Sequence, residues 1–183
     1  MEVNMTRRKM LLMTAGATVL GLAALVGLAD QNAIFADDDD EGQEALIKLL
    51  DTSKINLQQG IVASEQQGQP ISAKFEVEEG KLQLSVYTAK EGKFFEVLIN
   101  YMTGKVLKVE PITEGDDFAA ATSQSAAMSM AKTSLKEAVD KAVSQSAKAR
   151  VVSAVPGLKD GHPVASIVLL DGEQLKTVQQ PLD

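Results

Sequence analysis

The chain has 183 residues and a formal net charge of −7, from 25 acidic against 18 basic residues. It has no cysteine, and its one histidine is His162, which excludes disulfides, thiol nucleophiles, Cys-rich zinc sites and multi-histidine metal sites. The acidic balance speaks against nucleic acid, whose phosphates need clustered cations. No catalytic constellation stands out, so the chain reads as a small acidic protein that is not an enzyme and needs no cofactor.

Arg7, Arg8 and Lys9 form a basic start, Met10 to Ala29 is free of charge, and Ala33-Ile34-Phe35-Ala36 precedes the acidic run Asp37 to Asp40. That order reads as a secretory signal cut after Ala36. A retained anchor is the alternative, since a span needs about 20 apolar residues. However, Gly16, Gly21, Gly27, Thr14 and Thr18 dilute the run. Thr6-Arg7-Arg8-Lys9-Met10-Leu11-Leu12 also resembles the twin-arginine export motif, with Met10 where that motif usually has Phe. General export and twin-arginine export both stay open. Either route predicts a periplasmic or extracellular protein that meets the membrane only in transit. Cleavage removes Arg7, Arg8 and Lys9 against Glu2 and Asp30, leaving 15 basic and 23 acidic residues. A chain near 150 residues buries roughly 68–70% of its unfolded surface, enough to fold without staples.

Residues 41–67 read as helical, from the stripe Ala45, Leu46, Leu49, Leu50 and then Leu57 and Ile61, with a break and recapping expected at Asp51-Thr52-Ser53. From Ile71 the period becomes two. A Glu79-Gly80 turn pairs Val77 with Leu82, Phe75 with Leu84 and Ala73 with Val86. A Glu91-Gly92 turn pairs Val86 with Val97 and Leu84 with Ile99. A three-residue loop Met102-Thr103-Gly104, with Gly104 left-handed, predicts Ile99 opposite Leu107 and Val97 opposite Val109. All three turns place the apolar residues on one face, which a one-residue slip would undo.

Asp116 and Asp117 then suit a helix N-terminus, and Ala119 to Ala121, Ala126, Ala127 and Ala131 are strong helix formers. Ser134 and Glu137 match a capping box, followed by the stripe Leu135, Ala138, Val139, Ala142, Val143. Strands return at 151–155, 164–170 and 175–179, with Val168 facing either Leu175 or Thr177. The expected fold class is α+β, a helix packed on an antiparallel β-meander, with the unit repeated twice at a period of roughly 75 residues. The expected organisation is a signal over 1–36, an acidic N-terminus and helix start over 37–52, a first unit over 53–112, and a long helix with a second unit over 113–183.

Helix, hairpin and then Glu96-Val97-Leu98-Ile99-Asn100-Tyr101-Met102-Thr103-Gly104-Lys105-Val106 resembles the PepSY domain, with Asn100 near the place where that family commonly has Asp. Residues 53–110 match the whole unit, and 133–183 resemble a degenerate copy that lacks the Thr-Gly hairpin. The resemblance implies an exported, non-catalytic module. The family occurs in secreted proteins and peptidase propeptides and has been proposed to restrain peptidases, so a peptidase or another envelope protein is the expected partner. It supplies no catalytic residues.

Tyr87, Phe94 and Leu98 share the face opposite Phe75 and Leu84, and that face is more apolar than a solvated one should be. Two readings follow: a partner surface, or a face covered by the second helix or second repeat. Asp37 to Glu41 reads as a mobile, solvated start, with Gly42 placed in the same acidic segment, and a metal-buffering or structural role through these acids is the alternative function. His162 reads as a strand-edge residue, Ser123, Ser125, Ser129 and Ser134 as helix surface and caps, and Met128 and Met130 as packing residues.

Overall fold

Two capping boxes punctuate the helical parts of the chain. The computed structural model describes residues 40–146 and 148–183; the export segment with Arg7, Arg8 and Ala36, and the acids at 37–39, lie outside them. The first helical stretch is two helices, α1 (Asp40–Leu50) and α2 (Leu57–Ser64), followed by a 3-10 turn at Glu65–Gln67. The break falls where expected, but the cap is Asn56. Its side chain accepts from Gln59 N at 2.9 Å while Gln59 Oε1 accepts from Asn56 N at 2.9 Å. Ser53 is drawn elsewhere, its hydroxyl lying between Ile55 O (2.8 Å) and Tyr101 O (3.0 Å). Gly42, expected in a mobile segment, sits inside α1. The second stretch divides into α3 (Gly115–Met130) and α4 (Leu135–Gln145), and the Ser134–Glu137 box caps α4 as the sequence predicts.

Seven strands follow these helices in two runs: β1 (Gln69–Glu78), β2 (Lys81–Lys90), β3 (Lys93–Ile99) and β4 (Val106–Ile112), then β5 (Arg150–Lys159), β6 (His162–Asp171) and β7 (Gln174–Pro181). They form one antiparallel sheet in the order β4-β3-β2-β1-β5-β6-β7. The β1–β2 and β2–β3 registers are those read from the turns, including Phe75 with Leu84 and Val86 with Val97. Both turns place two residues at positive φ, the mirror-image geometry that suits a right-twisted hairpin. Val168 pairs with Thr177.

The third hairpin departs from expectation. Val97 does face Val109, but Ile99 faces Val106, not Leu107. The Asn100 side chain accepts from Met102 N at 2.9 Å and Thr103 N at 3.0 Å, closing an Asx turn. Asn100 N in turn donates to Lys105 O at 2.8 Å, so the loop holds one residue more than predicted. A bulge absorbs the extra residue by expelling Leu107, which is 65% exposed.

The fold is α+β. Leu57 and Ile61 of α2 are buried with Leu84, Val86 and Val97, and Gly60 of α2 lies directly over Leu84. The α4 stripe, Leu135, Ala138, Val139 and Ala142, is buried against the β5–β7 half. The first turn of α3 meets the opposite sheet face, where Asp117 bonds Tyr87 and Phe118 packs edge-on against Phe94. Met128 of α3 is buried, whereas Met130, read as a packing residue, is 51% exposed. The first strands of the two meanders join through Ala73 with Ala154 and Lys74 with Ser153. Among the described residues, no helix is long and apolar enough to cross a membrane.

Candidate binding edge

β4 is the outermost strand on its side of the sheet, so one row of its backbone groups has no strand partner. Its N-terminal end is held firmly. Gly104, at φ +73°, donates to Asn100 O at 2.7 Å, and the same turn docks on the chain before α2. There Tyr101 O accepts from Lys54 N at 2.9 Å, and Arg150 Nη2 reaches Ser53 O at 3.2 Å. From this fixed base Met102, Val106, Leu107 and Val109 project as exposed apolar side chains. The opposite edge, β7, reads Gln-Leu-Lys-Thr-Val-Gln-Gln-Pro and is largely polar.

The other half of β4 borders a cleft of about 280 Å³ lined by Glu96, Glu110, Pro111, Ile112, Thr113, Glu114 and Asp117. Glu96 and Glu110 are direct cross-strand partners on one sheet face, and like charges so placed repel. Lys108 answers Glu110 at 2.8 Å, while Lys74 is held by Glu76 at 2.6 Å. Burial pushes the Glu96 carboxyl above its ordinary range, and the Glu76 and Asp117 charges add to this. Ser85 and Lys74 oppose the shift, but the single Ser85 hydroxyl proton points to Glu76 Oε1 at 2.9 Å, so its relief of Glu96 is partial.

Tyr87, Phe94 and Leu98 do share one face. Tyr87 is 7% exposed, Phe94 lies 5.6 Å from the Phe118 ring, and Leu98 is half-buried between Ser85 and Lys108. The start of α3 thus occupies the apolar part of that face, leaving its acidic margin open. The β4 edge itself was missed in the sequence. The pairing of Glu96 with Glu110 was nonetheless implicit there, because it follows from Val97 facing Val109. His162 Nδ1 lies 2.9 Å from Asp183 Oδ2 at the surface. Among the described residues, no three His, Cys, Asp or Glu side chains gather in a way that could hold a metal ion. Comparison of the chain with family models, with curated proteins and with solved structures gave no match.

Proposed function

We propose that the chain is an exported, non-catalytic binding or regulatory protein of the cell envelope, built from two PepSY-like units. In this reading it restrains a peptidase or another envelope protein by accepting an extended segment at the β4 edge. The observation that carries it is the open β4 strand, with Leu107 expelled by a bulge and Val106 and Val109 beside it. Strand addition uses such an edge: backbone bonds give affinity and alternate side chains give selectivity. The two-residue turns and the loop anchored on Tyr101 O keep this edge preformed, which lowers the ordering cost of binding. The order of helix pair, meander, helix pair, meander supports the two-unit reading.

A photo-crosslinking residue at position 107, and another at 177 on the opposite edge, test this in the native envelope. A discrete adduct from position 107 alone is the expected result. Equal labelling from both edges, or none from 107, overturns the reading.

A further inference from the structure

We propose that the segment accepted by β4 is a cationic one: an extended stretch of another protein, alternating apolar and basic residues, with a lysine or arginine seated in the acidic cleft beside Glu110. This rests on the strand-addition reading and adds the chemistry of the occupant. The first ground is the Glu96–Glu110 pair. Like charges on neighbouring strands of one face are unfavourable, and a strand added outside β4 would bring its cation to Glu110 from the open side of the sheet. The cation already present answers Glu110 weakly, because the Lys108 side chain is 58% exposed and its ion pair is screened. Glu114 and Asp117 add negative charge around the same cleft.

The second ground is the apolar half of the strand. A small polar cation would leave Val106, Leu107 and Val109 exposed, whereas an alternating peptide covers them and fills the cleft with the same chain. The third concerns a second copy of this protein as occupant. A second copy brings the same acidic margin of Glu110 and Glu114, and two chains of net charge −7 repel each other as they approach.

The test is fluorescence anisotropy with the protein carrying its native N-terminus. Three labelled peptides of seven residues, the length of β4, are compared: alternating Lys/Val, Thr/Val and Glu/Val. A fourth is Lys/Val N-methylated at alternate residues, in each of the two phases. The expected result is that Lys/Val binds roughly tenfold or more tightly than Thr/Val, that Glu/Val does not bind, and that the preference shrinks as salt rises through about 0.15 M. One phase of N-methylation should abolish binding, and E110Q should erase the preference for Lys/Val. E114Q is a second variant should E110Q fold poorly. Equal binding of Lys/Val and Thr/Val would overturn the cationic proposal while leaving strand addition in place. Undiminished binding of both N-methylated peptides, or no binding of any peptide, would overturn both. Self-association in sedimentation that is competed by the Lys/Val peptide would make a second copy the occupant and overturn the proposal.

Discussion

Tyr87 Oη donates to Asp117 Oδ1 at 2.7 Å, tying the second strand of the sheet to the first turn of α3 across thirty residues of chain. Burial, and then this bond, push the Tyr87 hydroxyl well above its ordinary range. A raised pKa in the folded state means that folding favours the protonated phenol. That stability is fully present below the unfolded value of about 10 and is lost as pH rises beyond it.

Tyr87→Phe is therefore expected to lower stability at neutral pH by about 1.5 kcal/mol, at the low end for a bond to a charged group because Asp117 is half-exposed. The variant should also lose less stability than the parent between pH 10 and pH 11. Urea midpoints across that interval check both. A phenolate titration followed by absorbance should show one tyrosine resisting ionisation, and that resistance should vanish in the variant.

Glu96 gives the opposite expectation at neutral pH. Its folded pKa is raised, so the ionised form is the strained one, and the stability it contributes is present below the unfolded value of about 4.3 and lost as pH rises through the folded value. Glu96→Gln should raise the urea midpoint at pH 7. The gain should shrink to nothing below pH about 4. A gain that is constant with pH would place its origin in packing instead.

Gly104 sits at φ +73°, with Ile55 in ordinary contact range of an added Cβ at 3.7 Å, so strain and not collision sets the cost of a side chain there. Gly104→Val should lose about 1–3 kcal/mol. Gly42→Val, in a helix with open space around it, should be neutral or slightly stabilising, because valine is the better helix former. Paired urea titrations compare the two.

Gly60 tests the packing of α2. A Cβ there would lie 2.7 Å from Leu84 Cδ2, and Leu84 is fully buried with nowhere to swing. Gly60→Ala should thus cost about 1–3 kcal/mol from overpacking, reduced by a helix-propensity gain of about 1 kcal/mol. Combining it with Leu84→Val should cost less than the two changes added separately, which a double-mutant cycle measures.

The registers of β1 to β3 were legible because turn chemistry and the period-two alternation pointed the same way. The third hairpin was not, since its loop length depends on where one side chain, Asn100, sends its carbonyl. Ser53 drew the expected cap, but its hydroxyl finds Tyr101 O, a partner 48 residues away that no local pattern announces. The same holds for Ala73 with Ala154. The apolar content of Tyr87 and Phe94 was visible, and cover by the second helix was one of the two readings it allowed; that the first turn of that helix supplies the cover was fixed only in three dimensions.

The meeting of β1 and β5 has a consequence for the nascent chain. Everything up to Ile112 is synthesised while β5 does not yet exist, so for that interval the strand at the heart of the finished sheet is an outer one. During that interval the row of β1 backbone groups that β5 later pairs has no strand partner. A chain ended after Ile112 would keep that edge open permanently. Sedimentation should show it associating more than the whole protein, because only β5 completes the pairing of β1.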